Sequence, residues 1–277
     1  MKIKEAVILL GGMGTRLLPY TKSVPKEMLP IYNTPAIFLL VKEAYLSGIK
    51  KIIFVVTKHN KKMIENFFSD DNYLNNFLKD KPEKQKLLNE LNDIIKKMQF
   101  KFIYQNIKGT YGALYSARKY IKEDNFIVMY GDDLIDSNEP VTKLLINEFN
   151  KTGKMQVAVK EKDYNELPKV GVVKLDNNDN IINLVPNKEN HSSCEIHGRM
   201  LLNKKIFNVL NDLYKHDNDE YYLPYALLKF NDVHAYKYDG EYFNLGNTTG
   251  YIKASIHYAL KNNKDNNDLL KYIERIK

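Results

Sequence analysis

The sequence has 277 residues, of which 44% are hydrophobic, and this length and composition suit one globular domain with a buried core. Its formal net charge of +8 comes from lysines scattered among acidic residues and asparagines, without the sustained basic block of a nucleic-acid-binding protein. A single cysteine excludes an internal disulfide, and no apolar run approaches the ~20 residues of a membrane span, so we expect a cytoplasmic protein that binds neither nucleic acid nor membrane.

Short apolar runs of strand length recur in the first half of the chain and predict buried strands. They occupy residues 6–10, 51–56, 100–104 and 126–130. Residues 35–48 predict a helix that opens on a proline and stops at a glycine. Residues 69–98 are strongly charged and helical in pattern, which indicates an insertion or lid outside the sheet. Alternating strands and helices predict an α/β fold, a mostly parallel sheet wrapped by helices.

The second half of the chain has a different pattern. After residue 139 a helix is followed by strand-like segments at residues 155–161, 170–176, 180–185 and 197–202. These segments lie closer together than βαβ units allow, so we expect an added, mixed sheet region. From residue 250 onward two amphipathic helices follow, which can cap the core or form the contact of a homo-oligomer.

The loop after the first predicted strand, GGMGTRLLPYTKSVPKEMLP, has the composition of a polyphosphate-binding site. Its glycines are Gly11, Gly12 and Gly14. Glycines let the backbone turn tightly and aim N–H groups at phosphate oxygens, while Arg16 offers a fork of donors and Lys26 a point charge. The loop is not a Walker motif, and Leu17 stands where G-x-G-x-x-G needs its last glycine. An ordinary turn is the alternative reading.

This loop resembles the signature of the sugar-1-phosphate nucleotidyltransferases, G-x-G-T-R-x-x-P followed by P-K-x-M-L-P. Residues 21–30 are most similar to the bacterial uridylyltransferases of that family. Thinner similarity runs in consistent order through the segments GDDLID, GVV, GR, DEYYLPYA and GNTTGY. The resemblance implies a Rossmann-like core in which Arg16 and Lys26 are catalytic and hold the triphosphate of UTP. The nucleotide loop it implies consists of Leu10, Gly11, Gly12, Gly14 and Thr15.

Such a reaction needs fixed cations and a divalent ion, because a sugar phosphate oxygen attacks the α-phosphorus while pyrophosphate leaves. Asp132 follows the strand predicted at residues 126–130, at the carboxyl edge where open α/β sheets bind ligands. It matches the metal-binding Asp of the family, and we expect it to hold Mg²⁺. An ordinary acidic turn is the alternative for Asp132 and Asp133, and a structural cap explains Asp136 equally well.

Base recognition is predicted in the segment YQNIKGTYGALYSA. The amide of Gln105 can pair with a pyrimidine edge, and Gly109 and Gly112 let the backbone lie flat against a base. Uridylyltransferases carry G-L-G-H-A here, whereas this chain has Tyr111 and Gly112 in place of the G-H pair. The segment also resembles the G-T-A-G-A-L form of relatives that use other nucleotides, so the base stays open.

The sugar-phosphate site implied by the resemblance comprises Gly171, Lys188 and Glu220. The chain departs from the family here, because Asn183 and Leu184 stand where an E-K-P motif places Glu and Lys. Lys188 matches the lysine of that motif only if the alignment is shifted by a few residues. The alternative is that Lys188 is an ordinary surface lysine. Glu220 can equally be an acid favoured by a helix N-terminus.

The second metal position also departs from the family, since Asn244 stands where relatives carry Asp. An amide oxygen contributes no charge, so we expect weaker Mg²⁺ binding. The spacing of His191, Cys194 and His197 lacks a partner cluster for zinc.

Three interpretations remain open. The first is an Mg²⁺-dependent enzyme that makes UDP-glucose and pyrophosphate from UTP and glucose 1-phosphate. The second is a regulatory paralogue that binds nucleotide with weakened catalysis, and the third is the same chemistry on another sugar or base. Each describes a single domain with a nucleotide-binding core at about residues 1–138 and a sugar-binding region with C-terminal helices at about residues 139–277.

Overall fold

Strands and helices alternate along the chain in the computed structural model, which describes residues 2–69, 72–162, 171–185, 194–216, 222–262 and 266–276. The strands are β1 (Glu5–Leu9), β2 (Pro30–Ile31), β3 (Thr34–Pro35), β4 (Lys51–Val56), β5 (Gln99–Tyr104), β6 (Asn125–Tyr130), β7 (Asp133–Asp136), β8 (Gln156–Glu161), β9 (Val172–Leu175), β10 (Ile181–Val185), β11 (Cys194–Asn203), β12 (His234–Lys237) and β13 (Glu241–Asn244). The helices are α1 (Ala36–Leu46), α2 (Lys61–Phe67), α3 (Asn72–Phe77), α4 (Pro82–Lys97), α5 (Gly109–Ala117), α6 (Val141–Thr152), α7 (Ile206–His216), α8 (Pro224–Leu227), α9 (Thr248–Asn262) and α10 (Asn266–Ile276).

The centre of the fold is a sheet with the strand order β10-β9-β11-β6-β1-β4-β5, extended by β8, which pairs with β11, and by β12, which pairs with β8. Strand β1 pairs in parallel with β4 and β6, and β4 pairs in parallel with β5. Each of these strands lies within one residue of its predicted position. The apolar runs of β1, β4 and β6 are buried on both faces of the sheet, whereas β5 is an edge strand that buries only Ile103. The predicted α/β class is confirmed.

Helix α1 begins one residue later than its sequence suggests. Pro35 occupies the cap position rather than the first helical position, and the helix ends at Leu46, ahead of Gly48 with its φ of 91°. The charged stretch predicted as helical forms α3 and α4, which lie outside the sheet.

Strands of the second half join the same sheet in mixed orientation, as their close spacing predicts. Strand β11 runs antiparallel to β6, β8 and β9, and it is longer than the six residues predicted for it. Buried clusters of apolar side chains cover both faces of the sheet and draw on both halves of the chain. In the part of the chain that the structure describes, no helix is long and apolar enough to cross a membrane.

The sequence pattern did not predict the antiparallel ribbon of β7 and β13, nor the short β2–β3 pair, α2, α7, α8 and β12. Asn244, at the end of β13, lies opposite Asp133, at the start of β7. Helix α9 packs on this ribbon through Ala254 and so caps the core, while α10 leaves Leu270 and Tyr272 exposed. The expected homo-oligomer contact stays a prediction.

Candidate functional site

A cavity of about 180 Å³ opens at the carboxyl edge of the parallel strands, beside the glycine loop. It is lined by Leu9, Gly11, Gly12, Lys26, Gln105, Gly109, Thr110, Ala113, Tyr130 and Asp132. Six of these residues were predicted from the sequence to share one site, and the fold brings them together here. They are Gly11, Gly12, Lys26, Gln105, Gly109 and Asp132. Leu9, Thr110, Ala113 and Tyr130 were missed. Tyr130 could have been found from its position between the apolar strand and the GDD sequence. Thr110 could have been found because it lies in the segment YQNIKGTYGALYSA, where base recognition is predicted.

Glycine is favoured at two positions of the loop because two side chains approach its backbone closely. A Cβ on Gly12 would lie 3.0 Å from Lys26 Nζ, and one on Gly11 would lie 1.6 Å from Gln105 Oε1. Gly14 has a φ of 64°, and its carbonyl accepts a 2.8 Å hydrogen bond from the Thr21 hydroxyl. The loop therefore curls tightly around the space that Lys26 and Gln105 enter.

Lys26 and Asp132 form the charged centre of the cavity. Lys26 Nζ donates a hydrogen bond of 2.5 Å to Asp132 Oδ2, and the lysine is buried. Burial alone raises the pKa of a carboxyl, but the nearby Lys26 ammonium outweighs it and holds the pKa of Asp132 below its usual value. Burial likewise opposes the charge on Lys26, yet Asp132 raises the pKa of that lysine. The pair is ionised at neutral pH and offers one charge of each sign to a ligand.

The side chains of Arg16, Asn244 and Asp132 all lie close to Gly246. A Cβ built on Gly246 would lie 2.7 Å from an Arg16 Nη, 2.8 Å from Asp132 Oδ2 and 2.9 Å from Asn244 Oδ1. Only glycine fits among these groups, so the backbone at Gly246 lets an exposed guanidinium and two oxygen donors converge. Leu245 N also donates a 2.7 Å hydrogen bond to the Asp132 carbonyl, which ties the two segments together.

The oxygen donors of Asp132 and Asn244 suit a magnesium ion. Mg²⁺ uses one or two protein carboxylates and completes its shell with water and substrate phosphates. Asn244 Oδ1 accepts a 2.9 Å hydrogen bond from Gly246 N, so the amide is held with its oxygen toward this junction. Within the described ranges, no group of three or more His, Cys, Asp or Glu residues could hold a metal by itself. Asp132 and Asn244 would hold a metal ion only together with ligands from water or from a substrate.

Asp133 has a different role from its neighbour. Its carboxylate accepts hydrogen bonds from Gly198 N at 2.7 Å and from the Tyr242 hydroxyl at 2.9 Å. Burial, followed by repulsion from Asp132, raises its pKa to about 7. Asp133 thus joins β7 to β11 and β13, and the ordinary acidic turn is wrong for it. Asp136 ends β7 and accepts hydrogen bonds from His257 at 2.6 Å and Lys261, so it is not a cap.

Gln105 marks one end of the cavity and is fixed in one orientation. Its Nε2 donates to the carbonyls of Ile107 at 2.7 Å and Gly109 at 3.2 Å. Oε1 is buried and has no hydrogen-bond partner within the described residues. The side chain therefore presents an acceptor, and a ligand edge that meets it must donate.

Four of the expected nucleotide contacts lie outside the cavity lining. They are Leu10, Gly14, Thr15 and Gly112. Leu10 is buried, and its carbonyl accepts from Asn60. A Cβ on Gly112 would lie 2.4 Å from the Ile107 carbonyl, so this glycine allows α5 to pack against the loop that precedes it. These residues support the walls of the site.

Of the three residues expected at the sugar phosphate, Gly171 falls within the described ranges. Gly171 has a φ of 88° and lies next to the Tyr222 hydroxyl, which would be 3.1 Å from a Cβ there. On β10, Asn183 is exposed and Leu184 packs against the apolar core, so Leu184 does not replace the missing lysine. Lys188, Glu220 and His191 lie outside the described residues.

Comparisons with known proteins identify a family, curated relatives and similar structures. A family profile described as nucleotidyl transferase matches residues 5–261. UTP–glucose-1-phosphate uridylyltransferase 2 of Staphylococcus saprophyticus is 34% identical across 100% of this chain and 99% of its own. A structure of UDP-glucose pyrophosphorylase complexed with UDP-glucose is 30% identical, with a TM-score of 0.82 over 94% of this chain and 99% of that one. UTP-bound UGPase from Acinetobacter baumannii is 28% identical, with a TM-score of 0.85 over 99% of this chain and 100% of that one.

Proposed function

The chain belongs to the nucleotidyl transferase family, and from this premise we propose that it forms UDP-glucose and pyrophosphate from UTP and glucose 1-phosphate. The observation that carries the proposal is the Lys26–Asp132 pair at the mouth of the glycine loop, with Arg16 beside it. Relatives of this activity match the chain over its full length, and similar structures carry UTP or UDP-glucose.

The reaction is the displacement of pyrophosphate by a sugar phosphate. An oxygen of glucose 1-phosphate bonds to the α-phosphorus of UTP, and the bond from that phosphorus to the β-phosphate bridge breaks. The protein contributes alignment and charge, since the negative charge of the leaving pyrophosphate grows as the bond breaks. Lys26 and Arg16 are the cations nearest this chemistry, and we assign them to the phosphate chain.

Asp132 and Asn244 fit the magnesium ion that such a reaction uses. Bound there, Mg²⁺ would neutralise phosphate oxygens and help to orient them. Asp132 supplies the only carboxylate of this pair, and Asn244 supplies a neutral amide oxygen. The protein therefore depends on the substrate phosphates for much of its metal affinity.

The fixed acceptor of Gln105 favours uracil. Uracil carries an N–H donor at N3, whereas cytosine carries a lone pair there, which would face the Gln105 oxygen. Thymine offers the same donor as uracil, so this contact selects uracil and thymine over cytosine. We assign the nucleobase to the Gln105 end of the cavity and the phosphates to the Lys26 end.

The sugar phosphate is assigned to the side of Gly171, where Tyr222 stands, with Lys188 and Glu220 as further candidate contacts. The division into a nucleotide-binding core and a sugar-binding region remains part of this proposal.

Purified protein tests the function directly. With Mg²⁺ and glucose 1-phosphate, UTP is expected to yield UDP-glucose and pyrophosphate in equal amounts, and CTP much less. A panel of other sugar 1-phosphates identifies the sugar. UTP binding without any pyrophosphate release would instead support the regulatory paralogue.

A further inference from the structure

Tyr130 carries a buried hydroxyl group that the fold leaves unused. The residue ends β6 and its side chain lines the cavity, packed on one side against Gly198. Its hydroxyl oxygen is buried and forms no hydrogen bond of ordinary geometry within the described residues. Buried hydroxyl groups are nearly always bonded, because leaving one unpaired costs free energy. An unpaired one at a ligand cavity indicates a partner that arrives with the ligand.

The backbone and the hydroxyl group of Tyr130 lie near different parts of the cavity. Its backbone lies two residues before Asp132, at the end that holds the Lys26–Asp132 pair. Its hydroxyl lies near Tyr222 and near Thr110, which follows Gly109 at the Gln105 end. The ribose of a nucleotide lies between base and phosphates by covalent structure. A nucleotide with its base at Gln105 and its phosphates at Lys26 would bring its ribose past this phenol.

The chemistry of the phenol suits a sugar hydroxyl. Burial raises the pKa of Tyr130 well above its usual value, so the group stays protonated and can both donate and accept. The neighbouring Thr110 hydroxyl oxygen already accepts a 3.0 Å hydrogen bond from Leu223 N.

We propose that Tyr130 is a specificity-determining residue that hydrogen-bonds a ribose hydroxyl, 2′ or 3′, so that the protein selects ribonucleotides over their deoxy analogues. The inference rests on the proposed function in requiring a uridine nucleotide in this cavity. A deoxynucleotide leaves the phenol unpaired in the complex, and that unpaired group weakens its binding.

Equilibrium binding by calorimetry tests the inference without needing turnover. UTP, 2′-deoxy-UTP and 3′-deoxy-UTP are titrated into wild-type protein, Tyr130→Phe and the control Tyr115→Phe. Tyr115 is a suitable control because its hydroxyl donates to Asn211, away from the cavity lining. Wild-type protein is expected to bind UTP about tenfold more tightly than at least one deoxy analogue.

In Tyr130→Phe, UTP affinity is expected to fall about tenfold to that of the deoxy analogue, whose own affinity stays unchanged. Tyr115→Phe keeps the wild-type ratio. The melting temperature of nucleotide-free Tyr130→Phe should not fall, since no hydrogen bond of ordinary geometry within the described residues is removed.

Equal weakening of all three nucleotides in Tyr130→Phe, or an unchanged ratio, would overturn the inference. A chain that binds UTP with the expected ratio but releases no pyrophosphate contradicts the proposed enzyme while supporting the role of Tyr130. Failure to bind any of the three nucleotides overturns both.

Discussion

The proposed function assigns base choice to one amide, that of Gln105, whose orientation the backbone sets. Because Gln105 Nε2 is held by the carbonyls of Ile107 and Gly109, only its oxygen is free for a base. Gln105→Leu removes that acceptor, and kcat/KM for UTP is expected to fall about tenfold while CTP changes little. Steady-state kinetics with both nucleotides measure the ratio. Gln99→Leu, an exposed glutamine at the other end of β5, serves as the control. An unchanged UTP-to-CTP ratio in Gln105→Leu would refute the contact.

The buried carboxyl group of Glu27 is expected to make the stability of the protein depend on pH. The residue is 1% exposed, and neither carboxyl oxygen has a hydrogen-bond partner within the described residues. Burial raises its pKa to about 7, against the opposing attraction of Lys26. Since the folded pKa lies above the unfolded one, the stabilisation is complete below about pH 4.5 and is lost as pH rises through about 7.

Glu27→Gln removes this titration. Between pH 5 and 8, the unfolding free energy of wild-type protein is expected to fall by on the order of 2 kcal/mol more than that of Glu27→Gln. Urea unfolding at both pH values gives the difference. Glu65→Gln, on the exposed face of α2, should follow the wild-type curve. Parallel pH curves for wild-type protein and Glu27→Gln would show that Glu27 does not titrate in this range.

Among the elements, the β7–β13 ribbon brings Asn244 close to Asp132, and the proposed metal site predicts that residue 244 tunes Mg²⁺ affinity. Asn244→Asp keeps the acceptor for Gly246 N and adds a charge beside Arg16. The Mg²⁺ concentration for half-maximal activity is expected to fall severalfold, because a carboxylate binds a hard cation better than an amide does. A magnesium titration of the reaction rate measures this. Asn247→Asp, in the following turn, is the control, and a higher Mg²⁺ requirement in Asn244→Asp would contradict the metal assignment.

A buried ion pair ties three elements together behind the site. Arg199 on β11 is fully buried, and its Nε and Nη2 donate to the Glu43 carboxylate of α1 at 2.8–3.0 Å. Thr142 of α6 also donates to Glu43, at 2.7 Å. Arg199→Met is expected to lower the unfolding free energy by about 3–5 kcal/mol, because it leaves a buried carboxylate unpaired.

Urea unfolding of Arg199→Met measures this loss. Exposed Lys86, paired with Glu83, is the matched comparison, and Lys86→Met should change stability by less than about 1 kcal/mol. Equal effects of the two substitutions would contradict the structural role of Arg199.

Some features of the site could be predicted from sequence because their chemistry is local. Glycines, Arg16 and Lys26 share one short loop, and the edge rule for parallel strands places Asp132 beside it. The junction at Gly246 could be expected only through family likeness, since the ribbon joins segments far apart in the sequence. The sequence pattern predicts Tyr130 as the end of a buried strand. Hydrophobic periodicity does not reveal that its hydroxyl has no hydrogen-bond partner of ordinary geometry within the described residues.

At the scale of the whole molecule, one sheet connects both parts of the chain. Strand β11 pairs with β6, so the strand that carries Arg199 lies directly beside the strand that leads to Asp132. Sugar and nucleotide binding would therefore share a rigid edge, which suits a reaction that depends on alignment.

The rate of UDP-glucose formation by Lys26→Ala, compared with the rates of wild-type protein and Lys22→Ala, tests whether this cavity is the site of nucleotidyl transfer. Lys22 is an exposed lysine of the same loop and does not line the cavity. Lys22→Ala is expected to keep the wild-type rate. The rate of Lys26→Ala should fall by about 100-fold or more, because the fixed cation facing the phosphates is gone. Undiminished turnover by Lys26→Ala would contradict the assignment of this cavity as the site of nucleotidyl transfer.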